Sequence, residues 1–448
     1  MSRGCRRGFI LAEKMEKDKR EMKYAIQTLG CKVNQFETQA MEALLASHGH
    51  TSTRAGDADA VIVNTCAVTA ESGRKSRQAL RRLLAENPGA VAAVCGCYSQ
   101  LSPEDAEALG ASVVFGSGDR AAFVEAVERA VAEHRRARSV DDPFRRTALE
   151  ALPAGAMEGR TRAYMKIEDG CDNFCAYCVI PYARGRVRSM PLQKAAAEAA
   201  RLQREGFLEL VVSGIEISSY GKDFRDGSGL ADAVCAIAEA APDTRVRLGS
   251  LEPTVVTEDF CRRLRACGNI CPQFHLSLQS GCDRTLAAMR RKYDTARFRQ
   301  SAALLRAAFP GCALTADLIA GFPGETEADF AETLAFLEEI GFAAMHVFPY
   351  SERPGTRAAA MPEQLPKAVR AARARRAQTL ADTLERRYLQ SQIGRTLAVL
   401  FETEKDGLWQ GHSENYCLVR AEGADMHGIM RNVKIQALQG QNLVGLAL

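Results

Sequence analysis

No uninterrupted apolar run in the 448 residues approaches the roughly 18–20 that a membrane-spanning helix requires, so no such span is expected. The first twenty residues are basic but lack an apolar stretch and a small-residue cleavage site, which argues against a secretory signal. They read as a disordered extension over residues 1–21, with Met22, directly before the first strand-like run, as an alternative start. A dominant charge is missing too. Against 59 Lys+Arg stand 55 Asp+Glu, a formal +4, and this total neither demands nor excludes a nucleic-acid partner, because local clustering decides that. Cysteine, by contrast, is abundant: fifteen, an odd number. With no export signal the expected compartment is the reducing cytoplasm, where cysteine groups serve as metal ligands or catalytic thiols before disulfides.

Hydrophobic residues at 46% and charged residues at 25% are ordinary for a globular chain with a real core. From Tyr24 to about Ala132, short apolar runs alternate with helical patterns. The strands expected are Tyr24–Leu29, Ala60–Asn64, Ala90–Val94 and Ser112–Phe115; the helices lie near Glu37–His48 and Arg74–Leu84, from near Pro103, and after Asp119. That alternation predicts a small parallel sheet with helices on its faces over residues 22–135. A linker over 136–160 follows, polar and rich in turn residues from Asp141 onward. From Ala163 a strand–helix unit repeats six times, with strands at Ala163–Ile167, Leu208–Ser213, Arg245–Gly249, Gln273–Leu278, Leu314–Ile319 and Ala344–Phe348. Six units are too few for an eight-fold barrel, so residues 161–388 are expected to form a partial (β/α)6 barrel. It ends in a basic helical stretch, Lys367–Tyr388, and residues 389–448 suit a small all-β barrel. The fold class is therefore α/β with a terminal β-barrel.

The sharpest local signal is Cys171-Asp-Asn-Phe-Cys175-Ala-Tyr-Cys178, directly after the first barrel strand and behind Gly170. Three thiolates hold three corners of a 4Fe–4S cubane, and a fully ligated cluster normally uses four. The fourth iron stays open for a small molecule, as reactive metal sites keep a vacant position. A structural zinc site would want a fourth ligand nearby, and no His or Cys is placed for it. This CxxxCxxC resembles the radical S-adenosylmethionine superfamily, where the open iron chelates the amino and carboxylate groups of the cofactor; Tyr177 matches an aromatic usual at that point. A second trio is dispersed: Cys31, Cys66 and Cys97 each follow an apolar run read as a parallel strand, and carboxyl ends of such strands gather on one edge, where ligand sites form. Cys95 competes with Cys97 for the third place, but it ends the apolar run and is expected to pack inside.

Further motifs extend the likeness from about Met22 to the C-terminus. They are Thr28-Leu-Gly-Cys-Lys-Val-Asn-Gln35, Asn64-Thr-Cys-Ala-Val-Thr69, Gly96-Cys-Tyr-Ser-Gln100, Ile180-Pro-Tyr-Ala-Arg-Gly185, Ser277-Leu-Gln-Ser-Gly281 and Pro349-Tyr-Ser-Glu-Arg-Pro-Gly-Thr356. Together they resemble the radical S-adenosylmethionine methylthiotransferases, and Gly411-His-Ser-Glu-Asn-Tyr416 resembles their RNA-binding TRAM barrel. Three branches share this plan, acting on isopentenyladenosine in tRNA, on a ribosomal-protein aspartate, or on threonylcarbamoyladenosine in tRNA. The wording around Cys31 and Cys66 is similar to the last, the MtaB type. The resemblance implies two 4Fe–4S clusters. The one on Cys171, Cys175 and Cys178 would generate a 5′-deoxyadenosyl radical from S-adenosylmethionine to remove a hydrogen atom from carbon 2 of the adenine. The one on Cys31, Cys66 and Cys97 would carry the sulfur that is methylated and transferred. The partners implied are the tRNA anticodon stem-loop and an external electron donor, with no membrane and no DNA. An aromatic C–H offers no acidic proton, so the hard step belongs to the cofactors.

Around this core, Gly214 after the second strand, Ser277 and Gln279 ending the fourth, and Gly321 after the fifth are candidates to approach the cofactor, each against a plain turn or packing role. Glu216 is given no role. Arg184, Arg186 and Arg188 after the cluster loop, and Arg373 and Arg376 within the basic helix, are candidates for phosphate contact, against the alternative of a solvated face. Trp409 and Tyr416 stack on bases or pack in the terminal barrel. His275 and His346 are expected to be satisfied core residues. The rival from another class is a non-catalytic RNA-binding electron carrier, which would ordinarily prefer fully ligated clusters.

Overall fold

The structure is a computed structural model that describes residues 21–53, 56–152 and 161–448. Apart from Glu21, the expected N-terminal extension lies outside the described residues, as does 153–160 of the linker. The chain divides into two compact units, one ending at Asp141 and one running from Asp142 to the C-terminus together with Val68–Ala70.

In the first unit, strands β1 (Lys23–Thr28), β2 (Thr51–Ser52), β3 (Ala60–Thr65), β4 (Val91–Gly96), β5 (Val113–Phe115) and β6 (Ala137–Ser139) form a parallel sheet in the order β2-β1-β3-β4-β5-β6. Helices α1 (Lys32–Ser47), α2 (Ala70–Glu86), α3 (Cys97–Leu101), α4 (Pro103–Ala108) and α5 (Arg120–Glu133) fill the crossovers. Side chains alternate between faces along a strand, so a parallel sheet covered on both sides reads as a continuous apolar run. Ala60 and Ile62 pack with Met41, Leu45 and Phe123, whereas Val61 and Val63 pack with Leu80 and Leu83 on the other face. Two expectations need correction. The domain does not end at 135, because β6 pairs with β5 and carries the unit to Asp141. And α1 starts at Lys32, not near Glu37, so that Cys31 is its N-cap.

The second unit begins with the partial barrel. Strands β7 (Arg162–Lys166), β10 (Glu209–Ser213), β11 (Arg245–Leu248), β13 (Gln273–Gln279), β14 (Ala313–Ala320) and β15 (Ala344–Pro349) run parallel at the six expected positions. At Gly249 the third strand passes into β12 (Ser250–Leu251), which takes over the pairing with β13. Short β8 (Glu168–Asp169) and β9 (Arg188–Ser189) flank the cysteine loop as an antiparallel pair. The crossovers hold helices α6 (Ile180–Arg184), α7 (Leu192–Arg204), α8 (Leu230–Ala240), α9 (Glu258–Cys267), α10 (Asp283–Ala288), α11 (Thr295–Ala308) and α12 (Glu327–Ile340). The long α13 (Lys367–Gln390) follows β15. No described helix is long and apolar enough to cross a membrane.

The chain ends in a closed barrel of β16 (Thr396–Lys405), β17 (Leu408–Ser413), β18 (Leu418–Ala421), β19 (Met430–Gln439) and β20 (Asn442–Ala447), ordered β16-β17-β18-β20-β19. Leu397, Val399, Phe401, Val419, Val433 and Leu443 fill it, each contributing about 1.5–3 kcal/mol by burial. Gly411 is obligatory there, because a Cβ would lie 2.0 Å from the Leu400 carbonyl oxygen.

This small barrel docks against the amino ends of the parallel strands. Glu209 opens β10, fully buried, and accepts Arg245 Nε at 2.6 Å and Arg247 Nε at 2.9 Å. The two guanidinium groups then reach carbonyl oxygens of the terminal barrel, Ala398 at 3.0 Å, His412 at 2.9 Å, Glu414 at 3.0 Å and Ser413 at 3.2 Å. One end of the partial barrel is thus occupied by structure, and the carboxyl end is left for chemistry.

Candidate cluster and cofactor site

Strand β7 leads through Glu168 and Asp169 to Gly170, whose φ of +94° and position 1.9 Å (for an added Cβ) from the Arg186 carbonyl oxygen admit only glycine. The cysteine loop that follows is tied down on several sides. Cys171 N–H donates to Gly185 O at 3.0 Å, Ala176 N–H to Met289 O at 3.0 Å, and Ala358 N–H to Ala176 O at 2.7 Å. Phe174 turns the chain at a left-handed φ of +47°, unusual for a bulky side chain.

Each of the three sulfurs receives a hydrogen-bond donor. Asn173 N–H points to Cys171 Sγ at 3.5 Å, Ile180 N–H to Cys178 Sγ at 3.4 Å, and Arg291 Nη1 to Cys175 Sγ at 3.1 Å. Donors on sulfur stabilise thiolate and are one of the means by which a protein sets a cluster's potential. The donor set therefore fits a cubane held at three corners. Burial pushes the Cys171 thiol up from its ordinary value, and the Asn173 N–H on its sulfur opposes that shift. Among the described residues no three His, Cys, Asp or Glu side chains close up around a single metal ion; a cubane spreads its thiolates over four irons.

Arg291 is the hub. Its side chain is buried, ion-paired with Glu252, and bonded to Tyr177 OH at 3.3 Å and Tyr293 OH at 3.1 Å. Tyr293 in turn donates to Leu278 O at 2.7 Å, which links the hub to the end of β13. Two more carboxylates stand at neighbouring strand ends. Glu168 accepts Glu216 N–H at 2.7 Å, and Gly214 makes that approach possible, since a Cβ there would lie 2.6 Å from Glu168 Oε2. Burial pushes Glu168 well above the usual carboxylate range. Burial and then the neighbouring Glu252 push Glu216 up to about 8. Such perturbed groups cluster at functional sites.

On β13 His275 and Ser277 share the face opposite Phe274, which packs on Phe309 of the outer layer; the register shifts between Leu276 and Gln279, where Gln279 turns at φ +66°, so the alternation does not carry Gln279 with them. Their face is the inner one, where His275 meets Thr315 Oγ1 at 3.1 Å and Asp317 at 3.4 Å. His275 is satisfied as expected. His346 is not a core residue: it pairs in register with Asp317 and is exposed, because β15 is the open edge of the incomplete barrel.

In the first unit, the register aligns the second trio. Thr65 of β3 pairs with Gly96 of β4, so Cys66 and Cys97 are the next residues on adjacent strands. Thr28 pairs with Asn64, and Leu29 N–H donates to Asn64 O at 2.9 Å, which brings the Gly30–Cys31 turn to the same edge. A Cβ on Gly30 would lie 2.9 Å from Cys66 Sγ, and one on Gly96 would lie 2.4 Å from Thr65 O, so both glycines are there to let sulfur-bearing turns close up. Asn34 of α1 donates to Leu29 O at 2.8 Å and to Thr65 O at 3.0 Å, tying two of the turns together. Cys95 lies on the other side, fully buried beside Met41.

Residues 23–116 match a model described as uncharacterized protein family UPF0004, and residues 165–337 match the radical SAM superfamily. A Bacillus subtilis protein named threonylcarbamoyladenosine tRNA methylthiotransferase MtaB is 36% identical over 421 residues, covering 92% of this chain and 93% of its own. The chain belongs to the radical S-adenosylmethionine methylthiotransferase family. A Thermotoga maritima protein of the same name is 35% identical, with 94% and 95% covered. At 35% identity a tRNA-2-methylthio-N(6)-dimethylallyladenosine synthase of Nitratidesulfovibrio vulgaris covers 90% of this methylthiotransferase and 94% of itself. The fold is shared with the radical S-adenosylmethionine methyltransferase TsrM of Kitasatospora setae, at a TM-score of 0.53 and 15% identity over 76% of this chain and 75% of that one. Membership of the superfamily implies S-adenosylmethionine and a 4Fe–4S cluster.

Several arginines of this methylthiotransferase are not where their spacing suggested. Arg184 and Arg188 are buried around Asp169, at 3.5 and 3.6 Å, and only Arg186 of that set reaches solvent. Helix α6 ends at Arg184 and Gly185 turns at φ +76°, so the even spacing does not project one face. Arg373 is likewise buried, against Glu325 at 2.7 Å, while Arg376 lies half-exposed beside Glu327. Gly321 turns at φ +78° against α13, where an added Cβ would lie 2.6 Å from Arg370 Cγ. Trp409 packs against the terminal barrel's core, and Tyr416 is exposed and stacked on His412. Sequence reasoning missed Glu168, Glu252, Arg291 and Tyr293. Glu252 stands just beyond a strand end, a usable signal; Arg291 lies in an irregular turn that carries none.

Proposed function

We propose that this chain is a tRNA methylthiotransferase that converts threonylcarbamoyladenosine next to the anticodon to its 2-methylthio derivative. It would use S-adenosylmethionine, a 4Fe–4S cluster on Cys171, Cys175 and Cys178, and a second on Cys31, Cys66 and Cys97. The observation that carries the reaction type is the set of three sulfurs, each with its own donor, at the carboxyl end of the partial barrel. Relatives named for threonylcarbamoyladenosine that match over nine-tenths of the chain support the substrate.

With the cofactors bound, one-electron chemistry reaches an aromatic C–H from which no base can take a proton. The chain's own residues do the rest. Arg291 holds Cys175 and Tyr177 in place and is itself held by Glu252. Gly170 and Gly214 let the backbone approach closely, and Glu168 and Glu216, both pushed up by burial, stand at the same strand ends, Glu168 accepting Glu216 N–H. Cys31, Cys66 and Cys97 would hold the sulfur-carrying cluster, a reading supported by the register that brings their three turns to one sheet edge. Electrons come from an external donor, and the setting is the cytoplasm, with neither membrane nor DNA as partner.

Mass spectrometry of tRNA nucleosides from cells with and without the gene tests the reading. Loss of 2-methylthio-threonylcarbamoyladenosine with accumulation of its parent is expected. Loss of the methylthio-isopentenyl nucleoside instead would overturn the substrate and leave the reaction standing.

A further inference from the structure

Beside the cysteine loop, three aromatic rings meet at the surface. Phe174 lies inside the CxxxCxxC segment, Tyr182 on α6, and Phe144 in the short turn Pro143–Arg145. Phe144 and Phe174 are near-parallel, 7° apart with centroids 6.3 Å apart, and Tyr182 stands edge-on to both at 6.4 and 5.8 Å. Tyr182 is 47% exposed and Phe144 36%, so two large rings face water in a unit whose other Phe side chains mostly lie inside. The placement is built. Gly185, at φ +76°, brings the 143–144 backbone against α6 so closely that a Cβ would lie 2.0 Å from Pro143 O, and Asp142 accepts Phe144 N–H at 3.0 Å.

Cations border the rings. Arg145 and Arg186 have side chains 88% and 66% exposed, and Lys292 Nζ, also on the surface, donates to Asn173 Oδ1 at 3.0 Å. Arg145 lies 3.6 Å from Asp142, and Arg186 3.3 Å from Asp172. Exposed pairs of this type contribute little and release their cations readily. Exposed rings bordered by cations suit a single-stranded nucleic acid: rings stack on base faces and cations follow the phosphates.

We propose that Phe144, Phe174 and Tyr182 form a stacking platform for an unpaired RNA base adjacent to the target adenosine, with Arg145, Arg186 and Lys292 on its phosphates. The proposal rests on the tRNA reading above and adds how the loop is presented: the neighbouring base is held on the platform so that the target nucleotide is free to enter the barrel. It also gives a role to the strained φ of Phe174, which turns that ring out of the loop toward Phe144 and Tyr182.

A double-mutant cycle tests it, using the full chain with its clusters and an anticodon stem-loop RNA. Tyr182→Leu and Phe144→Leu each weaken RNA binding roughly tenfold, whereas Tyr182→Phe keeps it. An abasic nucleotide immediately 5′ or immediately 3′ of the target adenosine weakens the wild type similarly at one of the two positions. Combined, the Leu variant and that abasic RNA lose no more than either alone, because the ring and the base are one contact. Losses that multiply to about a hundredfold at both positions overturn the platform and leave the tRNA reading intact; a Leu variant that is merely misfolded gives this multiplicative result. Equal binding by the Leu and Phe variants overturns it as well. If the wild type binds no anticodon stem-loop at all, the tRNA reading itself fails and takes the platform with it.

Discussion

Arg247 and Glu209 form a two-pronged ion pair, Nε to Oε1 at 2.9 Å and Nη2 to Oε2 at 3.0 Å, with both side chains excluded from water. Burial alone would push the Glu209 carboxyl up, but Arg247, Arg245 and Arg162 together hold it down at about 2. The guanidinium that neutralises it also caps carbonyl groups of the terminal barrel and lies 4.6 Å from the Tyr416 ring centre.

Removing one member of that pair leaves a buried charge uncompensated, so Glu209→Gln and Arg247→Met should each destabilise the second unit by about 3–5 kcal/mol. Limited proteolysis should then cut near the start of β16. The sign with pH follows from a depressed carboxylate. Its stabilisation is complete above the unfolded value, about 4.3, and is lost as pH falls toward 2. Urea midpoints of wild type and Glu209→Gln should differ fully at pH 7 and converge on the acid side of pH 4.

The two cysteine trios should separate in function. Cys171→Ala is expected to abolish formation of 5′-deoxyadenosine from S-adenosylmethionine, and Cys66→Ala to spare that cleavage while stopping sulfur transfer. Full methylthiolation by Cys66→Ala would remove the second cluster from the proposal. Iron and sulfide content of the two variants checks the assignment without reference to turnover.

Arg291→Gln removes the donor on Cys175 Sγ and strands Glu252. A sulfur that loses a hydrogen bond makes its cluster harder to reduce. A redox titration followed by electron paramagnetic resonance should show a more negative midpoint for the Cys171 cluster, with cleavage of S-adenosylmethionine slowed at a fixed reductant. An unchanged midpoint would make Arg291 a scaffold residue only.

Gly96→Ala places a Cβ 2.4 Å from Thr65 O at a φ of +106°. The expected loss is about 2–4 kcal/mol in the first unit. Its iron content should fall too, because the turn that carries Cys97 must shift. Gly89→Ala, also at positive φ but with nothing near an added Cβ, is the control for backbone strain alone.

The arginines flanking α6 divide by burial. Arg186→Ala should reduce the salt dependence of RNA binding by about one unit of slope. Arg184→Ala, which removes a buried partner of Asp169, should show up first as a lowered melting temperature.

Much of this molecule was legible before any coordinates. The continuous apolar runs Ala60–Asn64 and Ala90–Val94 marked buried parallel strands, and both cysteine trios could be placed just past such runs from that pattern alone. Periodicity is a local property, set by which neighbours must face the core, and so it survives in one dimension. The boundaries it missed were short edge strands, β2 and β6, too brief to carry a period. His346 was misjudged for a related reason: a strand pattern does not tell which strand ends up at the open edge of an incomplete barrel.

What the sequence by itself determined, then, was the order of elements and the position of both cysteine trios just beyond strand ends, because spacing along the chain and the turn-forming glycines dictate both. Only the tertiary structure decided which charges are solvent-facing and which are structural. Arg184, Arg186 and Arg188 look alike in sequence, but Asp169 draws two of them inside, since a buried carboxylate without a cation is too costly to keep. Arg291 reaches Cys175 across 116 residues of chain, and Arg247 reaches Glu414 across 167. Such contacts depend on where distant segments are packed, and no local pattern encodes them.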